Sequence, residues 1–299
     1  VWLLKRFLPD WHDAVVEYVP AGQRLERLAS SSKNEKLNAI RYTLEAIDKV
    51  GEDEIIHVDT GLGPLDHHQI ESDKVSAASL TWEFIKDQRS KINPSASLRA
   101  RDQSSNEEKL RDREAAIGRM VKVIVDIDHF KEVFWDNPTA DYHNFSFLGI
   151  LEGLKVQKPN QDFAYIEFGI QILDALLHKF ESRIWAEKEL KKGQEFETRF
   201  GKAMGIETIN DSVVDLSQKM GYVIVVRKDP RKGYVRIKAH PGKEINLTLV
   251  YEKLKKMDPD ATWFLHISKK MLLNGSVKNP KMRPTTLTLD EIIKVLESV

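Results

Sequence analysis

The run Glu54-Ile55-Ile56-His57-Val58-Asp59, followed at once by Thr60-Gly61-Leu62-Gly63-Pro64, narrows the folds open to this chain more than any other feature. A short apolar run bounded by glycine and proline reads as a buried strand. It ends on a carboxylate, so Asp59 is expected at the carboxyl end of a strand, where ligands bind in an open α/β sheet. The loop then closes on Leu65-Asp66-His67-His68-Gln69, adding a second carboxylate and two more imidazoles to Asp59 and His57. One histidine in a polar loop would read as a cap on a neighbouring element. An Asp-His-His triplet beside a strand-end acid reads better as an ion site. Oxygen and imidazole donors with no thiolate nearby suit a hard or borderline divalent cation, Mn²⁺ or Mg²⁺.

The rest of the first half is read to fit that strand. Val1 to Pro9 has the pattern of an amphipathic helix that begins upstream of Val1, Val15 to Pro20 of a strand, and Leu37 to Val50 of a helix. Ser76 to Ile85 predicts a helix with a first turn of small residues. Strands alternating with helices point to an α/β domain with a parallel sheet. Glu107 to Trp135 predicts one helix on which Asp128 shares the apolar stripe of Ile124 and Val125. A carboxylate there needs a cationic partner or a metal. An arginine would serve, but the Asp-His-His loop offers an ion for Asp128 to join.

Gln161 to Glu197 predicts a second long helix, apolar first and Lys/Glu-rich later, bridging two domains. Beyond it the pattern changes. Tyr222 to Val226 and Tyr234 to Lys238 read as strands joined through Asp229-Pro230-Arg231-Lys232-Gly233, a hairpin signal. Asn246 to Met257 follows as a helix and Thr262 to His266 as a strand. Thr288-Leu289-Asp290-Glu291 is a capping box opening the last helix. The expected organisation is a catalytic domain over residues 1–155, a helical linker over 156–200 and a smaller α+β domain over 201–299.

Charge sharpens the reading of the second domain. The whole chain balances 46 basic against 46 acidic residues, which argues against a globally basic nucleic-acid binder. Locally, residues 227–238 hold Arg227, Lys228, Arg231, Lys232, Arg236 and Lys238 against Asp229 alone. Residues 269–283 hold Lys269, Lys270, Lys278, Lys281 and Arg283 against no acid, interleaved with Asn274, Gly275 and Ser276. Such a stretch is either a solvated surface or a loop that cradles phosphates. The chain has no cysteine, which excludes disulfides, thiolate metal sites and a cysteine nucleophile. The apolar start is too short to span a membrane and lacks a signal-peptide cleavage site, so no membrane partner and a cytoplasmic location are expected.

These residues resemble the DHH phosphoesterase superfamily, and within it the MYG-type metal-dependent hydrolases, a branch that includes RNA exonucleases. Asp66-His67-His68 is similar to the name-giving triplet and Asp59 to the strand-end acid. Lys74 to Leu80 resembles the branch's Ser-Ser-Ala-Gly helix start. Trp263-Phe264-Leu265-His266-Ile267-Ser268 with Asn274-Gly275 resembles its C-terminal Phe-Val-His-x-Ser motif and Gly-Gly-Asn loop. The resemblance implies a parallel-sheet DHH-type catalytic domain in which Asp59, His67 and Asp128 hold Mn²⁺ or Mg²⁺. Asp66 would orient His67 or bridge ions, and His68 would contact the substrate phosphate. His266, Ser268, Lys269, Lys270, Asn274, Gly275 and Ser276 would bind substrate as the second domain closes over a cleft.

The family's first motif, a histidine with paired aspartates, has no counterpart here. It is expected upstream of Val1, which leaves one metal position of this chain short of ligands. The implied activity is phosphodiester hydrolysis, with short oligonucleotides degraded from one end. A small-molecule phosphatase or pyrophosphatase, and a non-catalytic protein that binds a phosphorylated ligand, are the alternatives.

Overall fold

The computed structural model describes residues 1–20, 22–24, 46–92, 104–275, 279 and 281–299. They divide into two compact units, Val1–Phe180 and Glu181–Val299. In the first unit α1 (Trp2–Phe7), α2 (Ala77–Ile92) and α3 (Ser104–Asp128) carry the apolar core. Ile117, Met120, Val121 and Val125 recur three or four residues apart on α3, so they lie on one face, and all are buried. Trp82 and Ile85 of α2 are buried too, with the Trp82 ring meeting Phe7 edge-on at 5.9 Å.

The amphipathic α1 buries Trp2, Leu3 and Leu4 and is tied to a distant helix by polar contacts. Trp2 Nε1 donates to Asp174 Oδ1 at 2.8 Å, and Arg6 Nη2 donates to Asp174 Oδ2 at 2.8 Å. Asp174 belongs to α6 (Asp162–Leu190); the short α4 (Asp141–Asn144) and α5 (Phe147–Gln157) precede it. Burial pushes the Asp174 carboxyl up, but the bonds from Arg6 and Trp2 outweigh it and hold the group below the usual range.

The parallel sheet expected of this unit is not seen among the described residues. Asp48–Val50 (β1) and Asp53–Ile55 (β2) form an antiparallel pair turning through Gly51, whose φ is +68°. The expected strand therefore leaves its ladder at Ile55, and Ile56 to Val58 run on as irregular backbone to Asp59. An apolar run of three or four residues fits either pairing, and a turn glycine two residues before β2 selects the hairpin. Val15 to Pro20 joins no ladder, and the helix read over 37–50 falls outside the described residues as far as residue 45. The long helix ends at Asp128, short of Trp135, because Phe130 turns left-handed at φ +55° and a 3-10 turn, Lys131–Phe134, follows. Asp128 thereby sits at the negative end of a helix dipole, where a carboxylate needs compensation.

The second unit is built on one six-stranded sheet. Its strands are β3 (Gln194–Thr198), β4 (Gly201–Glu207), β5 (Ile224–Lys228), β6 (Val235–Ala239), β7 (Trp263–Leu265) and β8 (Met271–Asn274), in the order β3-β4-β5-β6-β8-β7. Only β4 and β5 are parallel, joined through α7 (Ser212–Lys219). The other pairs are antiparallel, with Val226 opposite Ile237 and Ile237 opposite Leu272. Ile224 and Val226 face one core with Ile237, Leu272, Leu254 of α8 (Thr248–Met257) and Ile292 of α9 (Leu289–Glu297). Val225 faces the other, with Met204, Ile206, Val213 and Ala186. A strand covered on both faces reads as a continuous apolar run, as Tyr222 to Val226 does.

The hairpin and the capping box stand where the sequence places them. Asp229 Oδ1 accepts from the amides of Arg231 and Lys232 at 2.9 and 3.3 Å, and Gly233 closes the turn at φ +66°. Thr288 Oγ1 accepts from Glu291 N while the Glu291 carboxylate accepts from Thr288 N at 2.8 Å. The long second helix stops at Leu190 instead of Glu197; a turn over Lys191 to Gly193 leads into β3. No helix among the described residues is long and apolar enough to cross a membrane.

Asp258 links stability of this unit to pH. It is buried, and Oδ2 accepts from Thr285 Oγ1 at 2.6 Å and from Thr286 N at 2.9 Å. Burial pushes the carboxyl up, yet these bonds win and hold it below the ordinary aspartate range. A depressed native value adds stability above the unfolded-chain value, lost as pH falls through the native one. Urea midpoints of the wild type should thus drop between about pH 5 and about pH 2 more steeply than those of Asp258→Asn. Parallel curves would remove Asp258 from the acid response.

Candidate metal centre

Asp66 organises the loop that carries the site. The residue is 1% exposed, with Oδ2 accepting from Leu62 N at 2.8 Å and Oδ1 from His68 N at 3.0 Å. Its own amide donates to Gly63 O, and Asp59 N donates to Leu65 O at 3.1 Å, closing the loop back on its start. Asp59, Gly61 and Leu62 all take left-handed φ, +59°, +71° and +52°. Aspartate tolerates that region better than most residues; leucine does so at a cost the loop must cover.

His68 Nδ1 donates to Asp66 Oδ1 at 2.6 Å, which leaves Nε2 of this largely exposed ring free of that bond. The bond to Asp66, and the charge of that carboxylate, raise His68 above the usual histidine range. In return, burial pushes Asp66 up, but the His68 and Leu62 donors outweigh it and lower it overall. With both oxygens committed, Asp66 supports the loop and fixes the orientation of His68.

His67 is the centre of the cluster. Its Nε2 lies 3.0 Å from Asp128 Oδ2 and its Nδ1 lies 3.1 Å from Asp59 Oδ1, and its ring stacks on His68 at 4.6 Å. Nδ1 is buried and makes no hydrogen bond among the described residues, although Asp59 Oδ1 is close. Asp59, His67 and Asp128 therefore come together, but the two acids face opposite nitrogens of one ring. Asp128 stands 3.0 Å from Nε2, where it could fix the tautomer, the outer-shell role a ligating imidazole needs.

The donor set fits a divalent cation. One ligand atom from each of Asp59, Asp66, His67 and His68 falls within 4.8 Å of the others. Two donors at right angles on a shell of bonds of ~2.1 Å lie ~3 Å apart, close to the Asp59–His67 separation. The buried, unbonded Nδ1 is the atom such an ion would satisfy. Beside it stand three groups that local sequence did not mark. His129 meets His67 edge-on at 5.9 Å, with Nε2 2.7 Å from the Val75 carbonyl. Arg24 and Asp48 form an ion pair that also engages His57.

In the second unit the residues expected to bind substrate separate into different kinds. Asn274 is fully buried in β8, its Nδ2 donating to Thr262 O and Arg283 O and its Oδ1 accepting from Thr285 N at 2.7 Å. It stitches the sheet edge and has no amide hydrogen left for phosphate. Gly275 is held at φ +77° with Tyr234 packed where a Cβ would go, so it too serves packing. His266 Nδ1 bonds Ser268 Oγ at 2.8 Å within the tight turn from β7 to β8, and the Lys270 ammonium donates to Pro241 O. Lys269, left-handed at φ +57°, is exposed with no ion-pair partner for its ammonium among the described residues. Ser276 lies outside the described residues.

The first basic stretch is not an open cationic loop. Arg227 and Arg236 both meet Asp211, at 2.9 and 3.2 Å, Lys238 meets Asp215 at 2.9 Å, and Lys228 meets Glu207 at 3.7 Å. In the second stretch β8 takes up Met271–Asn274, and Lys269, Lys270, Lys281 and Arg283 lie to either side of it. Searched against models of known protein families the chain matches none, and no curated protein matches it.

Proposed function

We propose that this chain is a divalent-metal-dependent phosphoesterase that hydrolyses phosphodiester bonds, with short oligonucleotides as substrate, in the manner of the DHH-type hydrolases its loop resembles. One observation carries the reading: both nitrogens of the His67 ring face carboxylates. A neutral imidazole donates from one nitrogen only, so the other would set a lone pair against an anion. A cation resolves that conflict. Asp59 and His67 Nδ1 would hold Mn²⁺ or Mg²⁺, and Asp128 would hold His67 in the tautomer that frees Nδ1. When bound, the ion would neutralise charge on a phosphoryl group and acidify water near neutral pH. Asp66 raises the pKa of the exposed His68, and the protonated ring would donate from Nε2 to a phosphate oxygen. Asp66 keeps that imidazole aimed and the loop closed.

A compact phosphorylated molecule is the second reading, favoured by the acids that neutralise Arg227, Arg236 and Lys238. A long polyanion wants an unpaired cationic track; a small phosphate ester does not. Hydrolysis of a five-nucleotide RNA and of pyrophosphate, each with Mn²⁺ and with chelator, separates the two. The first reading expects chelator-sensitive release of mononucleotides from RNA. Phosphate release from pyrophosphate alone would establish the second, and no turnover of either, with no Mn²⁺ bound, would remove both.

A further inference from the structure

We infer that Arg24 is the positioning residue of the metal loop, and that residue 63 is glycine so that the Arg24 guanidinium can lie against it. Gly61 and Gly63 look at first like flexible punctuation. Instead both face one side chain: a Cβ on Gly61 would run into Arg24 Cγ and Cδ, and a Cβ on Gly63 into Arg24 Nη1. Gly61 has a left-handed φ and suits glycine on that ground alone, whereas Gly63 does not. At residue 63, then, it is the guanidinium that fills the space of a Cβ and would have to shift to admit one.

The other end of the guanidinium is fixed just as firmly. Arg24 Nη2 pairs with Asp48 Oδ2, the oxygen that lies 3.1 Å from His57 Nδ1. His57 is buried two residues before Asp59, and Thr60 Oγ1, one residue after it, donates to Gln23 O at 2.8 Å. Gln23 and the Arg24–Asp48 pair thus hold the side chains of Thr60 and His57, on either side of Asp59. Among the described residues Arg24 Nη1 is buried without a hydrogen-bond partner, an arrangement that costs free energy. Lysine could keep the charge beside Asp48 but has no second planar arm to fill the space at Gly63.

The test is a double-mutant cycle read by hydrogen exchange, which needs no metal. Arg24→Ala and Gly63→Ala are each expected to speed exchange of the Asp59 and Asp66 amides about tenfold, with far-ultraviolet circular dichroism unchanged. The double variant should exchange no faster than Arg24→Ala alone, because the added methyl then enters vacated space. Guanidinium ion added to Arg24→Ala should slow exchange again. Unchanged exchange in Arg24→Ala, or additive effects in the double variant, would overturn the assignment. Should Arg24→Ala not fold, Arg24→Lys replaces it in the cycle with the same expectation at Gly63. Mn²⁺ affinity, expected to fall about tenfold in each single variant, rests in addition on the cation reading of the loop. A wild type that binds no Mn²⁺ would end that reading, and the exchange cycle would still decide for or against Arg24.

Discussion

His67→Ala is expected to weaken Mn²⁺ binding by on the order of 100-fold or more, and to abolish metal-dependent turnover, while the chain stays folded. The imidazole is the group through which Asp59 and Asp128 address each other, at 3.1 and 3.0 Å. Removing it deletes a ligand and leaves two carboxylates facing each other with no donor between them. The loop should survive, because its closing bonds run through Asp66, Gly63 and Leu65 and none uses the His67 side chain. Asp128→Asn gives the graded version: one amide orientation keeps an oxygen toward Nε2 but gives up the charge, so affinity should fall by about tenfold. Titration followed by Mn²⁺ electron paramagnetic resonance reads both. A His67→Ala variant that binds Mn²⁺ like the wild type would place any ion elsewhere.

Asn274→Ala should be the most damaging single change to the second unit, costing about 3–4 kcal/mol. The side chain is fully buried and serves three backbone groups at once, the carbonyls of Thr262 and Arg283 and the amide of Thr285. Alanine leaves a cavity and strips those groups of their partner. A buried donor or acceptor left unmade costs about 1–3 kcal/mol. Asn274→Asp keeps the acceptor for Thr285 but presents oxygen to two carbonyls, so it should be nearly as harmful. Urea unfolding at neutral pH measures both, and a loss under about 1 kcal/mol for alanine would mean that water replaces the amide.

The sequence was most readable where its logic is local. The Asp229–Gly233 turn and the Thr288–Glu291 box each involve residues within four positions of one another, and both formed as written. Asp59, Asp66, His67 and His68 likewise share one loop, so they cluster whatever surrounds them. Asp128 was legible as a carboxylate that would need a partner, though its placement at a helix end came from the turn at Phe130. The paired Arg24 and Asp48 were not legible at all, since nothing in their neighbourhoods points to residue 63; the Gly61-x-Gly63 spacing was the only trace. Asn274 was misread because polar residues among lysines look exposed. Its burial follows from β8 lying between β6 and β7, which only the sheet order reveals.

The bonds from Trp2 and Arg6 to Asp174 span 172 and 168 residues of chain. During synthesis at about 5–20 residues per second, α1 emerges roughly 10–30 s before its partner exists. Throughout that interval Trp2, Leu3 and Leu4, buried in the finished protein, have no carboxylate to anchor the helix that carries them. The second unit has no such delay, because most of its strands pair with strands made just before or after them. The second unit can therefore fold quickly on its own, while in the first the polar anchor of α1 waits for α6 although its apolar face can already meet α2.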